Sequence, residues 1–288
     1  MATLKDFRNN VKPNWCPGCG DFSVQAAIQR AAAAVGLEPE QLAIVSGIGC
    51  SGRISGYINA YGFHGVHGRS LPIAQGVKMA NRELTVLAAG GDGDGFAIGM
   101  GHTVHAIRRN IDLTYIVMDN QIYGLTKGQT SPRSAEGFKT KSTPAGSIES
   151  TLSPLEIALA AGATFIAQSF SSNLKQLTMI IEEAMKHKGF AFVNVFSPCV
   201  TFNKVNTYEW FKENIVDLEE TPDYDPSNRV MAMTKIMETN GLLTGLIYQN
   251  KSKQSYEDLV AGFKPEGLAK QNLQLTEAEF DKLVSEFK

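Results

Sequence analysis

Two groups of residues in this sequence have the chemistry to hold an ion or a charged cofactor. The first is Gly90-Gly91-Asp92-Gly93-Asp94-Gly95. Glycines let backbone N–H groups approach phosphate oxygens closely, and a helix that opens there adds partial positive charge. Two aspartates would repel a phosphate unless a cation lay between them. Magnesium is the natural cation: it is hard, octahedral and binds carboxylate and phosphate oxygens together. Asn120, 28 residues after Asp92, can supply a neutral oxygen, and the backbone carbonyl of Ile122 another. Taken alone, the aspartate turn also fits an ordinary loop or a calcium turn. Calcium turns of this kind usually come in repeats, whereas this one is single. With Asn120 added, the residues point to a diphosphate held through magnesium.

The second group is the cysteines, Cys16, Cys19, Cys50 and Cys199. Trp15-Cys16-Pro17-Gly18-Cys19-Gly20 is a knuckle that can offer two thiolates to one centre. Zinc accepts four cysteines and so does a 4Fe–4S cluster, and spacing alone does not choose between them. Two disulfides are formally available, but a reducing cytosol disfavours them. A thioredoxin-like redox pair is disfavoured too, because no strand precedes Cys16.

These residues need a scaffold, and the apolar pattern suggests one. Asp21 is placed to cap a helix over Phe22–Val35, ended by Gly36. Leu42–Ser46, Leu84–Ala89, Leu113–Met118, Phe165–Gln168 and Phe190–Phe196 read as buried strands. Gln75–Asn81, Phe96–Arg109, Pro154–Ala161 and Asn173–His187 read as helices between them, and a loop-rich stretch runs to Arg69. Strands apolar on both sides, alternating with helices, predict an α/β fold: a parallel sheet with helices on both faces. Such sheets bind ligands at the carboxyl ends of their strands. Cys50, Asp92, Asn120 and Cys199 all fall there. Gly124–Ser150 is polar with no core face. Beyond Val205 the chain is more charged, with helices expected near Arg229–Asn240 and Glu277–Phe287. The expected organisation is a domain over 1–204 and a C-terminal extension over 205–288, packing on that domain or on a partner.

Composition sets the outer limits. At 288 residues, 43% hydrophobic and 19% charged, the chain can bury a sizeable core. A net charge of −2 gives no electrostatic case for nucleic acid or an anionic membrane. No apolar run is long enough to span a bilayer, and the first twenty residues lack the apolar stretch of a secretion signal. The expectation is a cytoplasmic protein.

Taken together the motifs are more specific than any one of them. Gly91-Asp92-Gly93 followed by Asn120 resembles the thiamine-diphosphate motif. The second asparagine usual there is absent, since the sequence reads Asp119-Asn120-Gln121. The CPGCG opening, Gly49-Cys50-Ser51-Gly52, Val66-His67-Gly68-Arg69-Ser70-Leu71-Pro72, Gly76-Val77-Lys78-Met79-Ala80-Asn81 and Ser197-Pro198-Cys199 extend the likeness. From Trp15 to Asn206 the chain resembles the β subunits of 2-oxoacid:ferredoxin oxidoreductases, with the pyrophosphate-binding fold of thiamine enzymes. The resemblance implies magnesium on Asp92, Asn120 and the Ile122 carbonyl, and a 4Fe–4S cluster on Cys16, Cys19, Cys50 and Cys199. It also implies that Ile48, Gly49, Cys50, Ser51, His67, Gly93, Asp94, Gly124 and Leu125 line the thiamine diphosphate. His67 by itself would read as a loop histidine satisfied by backbone; within the motif it donates to the diphosphate. His64, His102 and His105 receive no role. Lys127 and Arg133 are expected either in a mobile lid that meets substrate carboxylate or coenzyme A, or in a solvated loop.

The implied reaction is the coenzyme A-dependent oxidative decarboxylation of a 2-oxoacid, 2-oxoglutarate before pyruvate. Electrons would leave singly through the cluster to ferredoxin. The activating glutamate of thiamine enzymes normally lies in a separate domain that is not visible here. No catalytic residue is therefore assigned to this chain, and an α subunit is expected to supply that glutamate in an αβ or (αβ)2 assembly. Two other readings remain: a subunit of a non-redox thiamine decarboxylase or synthase, and a zinc-stabilised, non-catalytic interaction protein.

Overall fold

The computed structural model of the chain describes residues 2–261, 263, 264 and 267–287. Its strands are β1 Leu42–Ser46, β2 Tyr61–His64, β3 Thr85–Gly91, β4 Leu113–Asp119, β5 Phe165–Phe170, β6 Phe190–Phe196, β7 Val216–Asp217 and β8 Leu243–Gln249. Its helices are α1 Asp21–Ala34, α2 Ser70–Ala80, α3 Met100–Arg109, α4 Pro154–Ala160, α5 Leu174–Lys186, α6 Tyr208–Asn214, α7 Arg229–Glu238, α8 Tyr256–Leu259 and α9 Glu277–Ser285. The strands form one sheet in the order β2-β1-β3-β4-β6-β5-β8-β7. From β2 to β5 every pairing is parallel, and β8 joins β5 antiparallel.

The central strands are buried end to end because both faces are covered. Alternate residues of each strand feed opposite cores. Ala43, Val45, Val86, Ala88, Tyr115 and Val117 pack with residues of α2, α3, α4 and α7. Leu42, Ile44, Leu87, Ala89, Ile116 and Met118 pack with α1 and α5 on the other side. The expected α/β class with helices on both faces is what the chain adopts.

Several local expectations need correction. Asp21 does not cap α1. It is the first residue of that helix, behind Gly20, and its carboxylate accepts a hydrogen bond from Ser197 Oγ (2.7 Å). Helix α2 starts five residues before Gln75, because Leu71 and Ala74 also reach the core. The predicted helix over Phe96–Arg109 is preceded by a wide turn at Asp94–Ile98, and its regular part begins at Met100. The stretch before Arg69 contains β2, an edge strand of four residues, all exposed, which lacks the continuous buried apolar run of the central strands. Residues 205–288 also contribute to the main sheet, through β7 and β8. Strand β8 contains Gly245 at φ 116° and the pairing with β5 shifts register between Ile166 and Ala167, which interrupts the expected pattern.

This topology brings the site together. Strands β1, β3, β4 and β6 lie side by side, and they end just before Gly47–Ser51, Asp92, Asn120 and Ser197–Cys199 respectively. Four segments far apart in sequence therefore share one rim of the sheet.

Candidate cofactor and cluster site

A cleft opens at that rim. Ile48, Gly49, Cys50, Ser51, His67, Gly93, Asp94, Gly124 and Leu125, the residues expected around the cofactor, all line it. Asp92, Asn120 and Ile122, expected around magnesium, line it too. Gly91, Tyr123 and Thr126 complete the wall and were not expected. Tyr123 donates from its hydroxyl to the carbonyl of Gly93 (3.1 Å). A Cβ on Gly93 would stand 2.2 Å from the Tyr123 ring, so only glycine fits there.

The two aspartates do different work. Asp94 faces the protein: Oδ1 accepts from Ile48 N (2.9 Å), Gly68 N (2.8 Å) and His67 Nδ1 (2.6 Å). It ties the β1 loop and the segment before α2 to the turn after β3. Because Nδ1 of His67 is engaged, its Nε2 is the ring nitrogen left for the cleft. Asp92 is buried, and its Oδ2 accepts from Ser131 Oγ. Burial, then the neighbouring charge of Asp119, holds Asp92 well above the ordinary carboxylate range. A divalent cation would relieve both effects by supplying the missing positive charge.

Asn120 and Ile122 sit in a tight turn. Asn120 Oδ1 accepts from Ile122 N (3.1 Å), Gln121 adopts a left-handed φ of 58°, and Asn203 Nδ2 donates to the Asn120 carbonyl (3.1 Å). An Asn tolerates this arrangement because its side chain closes the turn on its own backbone.

Arg133 is not part of a lid. Its Nε donates to Asp119 Oδ2 (2.9 Å) and its Nη1 to the Leu152 carbonyl (2.6 Å), and both members of the ion pair are buried. A guanidinium beside a fully buried carboxylate stays there, because separating them would strand a charge. Lys127 is exposed at φ 75°, next to cleft residues Leu125 and Thr126.

The cysteines gather at one end of the cleft. The Cys19 N–H donates to the Cys16 carbonyl (3.0 Å), forming the knuckle, and Trp15 Nε1 donates to the Cys50 carbonyl (2.7 Å). Burial, reinforced by Asp21, pushes the Cys19 thiol far up. The same two causes push Cys50 up to about 11. Each of these thiols also feels Cys199, and Cys50 feels Cys16. A Cβ on Gly124 would lie 3.4 Å from Cys199 Sγ, 3.9 Å from Cys50 Sγ and 4.0 Å from Asn120 Nδ2. Among the described residues, no three His, Cys, Asp or Glu side chains are arranged round a point that one metal ion could fill.

Comparison with known proteins fits this geometry. Residues 47–195 match the thiamine pyrophosphate enzyme C-terminal TPP-binding domain, and residues 199–265 match the C-terminal part of the pyruvate ferredoxin oxidoreductase β subunit. A 2-oxoacid:ferredoxin oxidoreductase β subunit of Saccharolobus solfataricus is 43% identical over 277 residues, 92% of this chain and 90% of that one. Another, from Aeropyrum pernix, is 40% identical over 270 residues, 90% and 87% of the two chains. A solved 2-oxoglutarate:ferredoxin oxidoreductase from Magnetococcus marinus, with 2-oxoglutarate, coenzyme A and succinyl-CoA bound, superposes at TM-score 0.86 with 41% identity, covering 90% of this chain and 88% of that one. No helix among the described residues is long and apolar enough to cross a membrane.

Proposed function

The chain belongs to the β subunits of the 2-oxoacid:ferredoxin oxidoreductases, and on that premise we propose that it joins an α subunit to convert a 2-oxoacid and coenzyme A to acyl-CoA and carbon dioxide. The favoured substrate is 2-oxoglutarate, in line with the ligands bound to the solved relative; pyruvate is next, in line with the family that residues 199–265 match. Thiamine diphosphate supplies the carbon nucleophile and the electron sink.

The protein's own part is to hold and to orient. Asp92, Asn120 and the Ile122 carbonyl hold magnesium against the diphosphate. Asp94 fixes the His67 tautomer so that Nε2 serves the phosphates. Glycines in the cleft wall let backbone reach them. Cys16, Cys19, Cys50 and Cys199 would hold one 4Fe–4S cluster, which would supply a one-electron carrier between the cofactor and ferredoxin.

The observation that carries the proposal is the position of Gly124. Two of the thiols and the Asn120 side chain lie within one van der Waals shell of the point its Cβ would occupy. The cofactor wall and the cluster end are thus neighbours, as electron transfer between them requires. The described residues build one sheet, with no second α/β unit to carry the activating glutamate. That role, and most substrate contacts, go to the α subunit in an αβ or (αβ)2 complex of the cytoplasm. The test is co-expression with that subunit, then anaerobic assay with several 2-oxoacids, coenzyme A and ferredoxin. Turnover only by the complex, with iron and thiamine diphosphate both retained, is expected. Turnover by this chain alone, or a complex that contains zinc and no iron, would refute it.

A further inference from the structure

The segment Ser131-Pro132-Arg133-Ser134 has no apolar pattern and no motif, yet three of its side chains are buried beneath the magnesium loops. Ser131 Oγ donates to Asp92 Oδ2 and accepts from the Arg133 N–H (3.2 Å). Arg133 Nε donates to Asp119 Oδ2, whose other oxygen accepts from Gln121 N (3.3 Å). Ser134 Oγ accepts from Ser131 N (2.9 Å) and donates to the Gln121 carbonyl (2.7 Å). The segment therefore grips both loops at once: the one carrying Asp92, and the one carrying Asn120 and Ile122. Burial of polar groups costs free energy unless each is paired. These are paired, and their partners are the groups next to the metal ligands.

We propose that Ser131 and Arg133 are positioning residues for the divalent metal. Ser131 engages Oδ2 of Asp92 and so turns Oδ1 towards the cation. Arg133 pins Asp119, and through it the Gln121 turn that presents the Asn120 oxygen and the Ile122 carbonyl. Arg133 also neutralises Asp119, the buried carboxylate whose charge bears on Asp92. This inference rests on the magnesium assignment to Asp92, Asn120 and Ile122. Partners that orient ligating carboxylates in this way typically control metal affinity by about 10- to 100-fold.

The experiment uses the complex with its α subunit, freed of divalent metal by chelation and titrated with manganese in the presence of thiamine diphosphate. Bound manganese is read by its paramagnetic resonance. Ser131→Ala should weaken manganese binding about 10- to 100-fold, with iron content and melting temperature close to the parent's. Arg133→Lys keeps the charge but loses the two-armed grip on Asp119 and Leu152, and should weaken binding in the same direction. Activity lost by either variant at limiting manganese should return at saturating manganese, which a merely misfolded site would not allow. Manganese affinity within about two-fold of the parent for both variants would overturn the positioning role. If Ser131→Ala does not assemble, Arg133→Lys decides. Failure of the parent complex itself to bind manganese with thiamine diphosphate would instead sink the magnesium assignment.

Discussion

Replacing Asp94 by alanine tests whether the second aspartate of the glycine turn is a clamp before it is a cofactor contact. Its Oδ1 accepts hydrogen bonds from Gly68 N, Ile48 N and His67 Nδ1. Alanine removes all three acceptors together. The Gly68 bond is buried, the Ile48 bond is partly buried, and His67 is open enough for water to replace its partner. A buried donor left unpaired costs about 1–3 kcal/mol. Counting the Gly68 donor in full and Ile48 at a discount gives roughly 2–4 kcal/mol. Asp94 Oδ2, buried without a partner, offsets part of this when it is removed. For a chain of 288 residues that loss lowers the melting temperature by about 3–7 °C. The assay is thermal unfolding of the anaerobic complex, followed by equilibrium dialysis of thiamine diphosphate. Binding should weaken as well, because Ile48 and His67 lose their common anchor. A melting temperature within about 2 °C of the parent's, with cofactor affinity unchanged, would refute the clamp.

Asp92→Ala should abolish metal-dependent retention of thiamine diphosphate while visible absorbance from the cluster persists; cofactor co-purifying at parental levels would remove Asp92 from the metal site. The raised Asp92, Asp21 and Glu257 carboxyls set a pH dependence. A carboxyl raised by burial favours the fold while protonated, and that contribution is lost as pH climbs from the ordinary carboxylate range through the raised value. Protein without metal should therefore melt lower at pH 8 than at pH 6, and magnesium with thiamine diphosphate should narrow the gap. A metal-free protein that gains stability over that range would contradict the assignment. Cys199→Ser should lower the iron content and bleach the visible spectrum, and an unaltered iron count would exclude it as a ligand. In cluster-free protein, an alkylating reagent should label exposed Cys16 before Cys19 and Cys50, whose thiols burial holds protonated; the reverse order in peptide mapping would show that the knuckle is built differently.

Much of this protein is written along the chain because its strongest signals are local. Apolar runs such as Leu113–Met118 are buried on both faces whatever surrounds them, so β4 is legible at once. Asp92, Asn120 and the cysteines follow strands or turns whose type is set by neighbouring residues, and they are visible for that reason. What the sequence hides depends on distant partners. Strand β2 has no buried side chain, and β8 earns its place only by pairing with β5 from outside the motif region. Asp94 reads like Asp92 in sequence, since both sit between glycines. Only the fold brings Ile48, His67 and Gly68 to Asp94, and Ser131 to Asp92. Arg133 looks like a solvated lid residue until Asp119 closes on it. Residue type and spacing determined which groups could bind a diphosphate, a cation and a cluster. The order of strands β1, β3, β4 and β6 decided which of them meet, because hydrogen bonds and buried charges are matched in space and not along the chain.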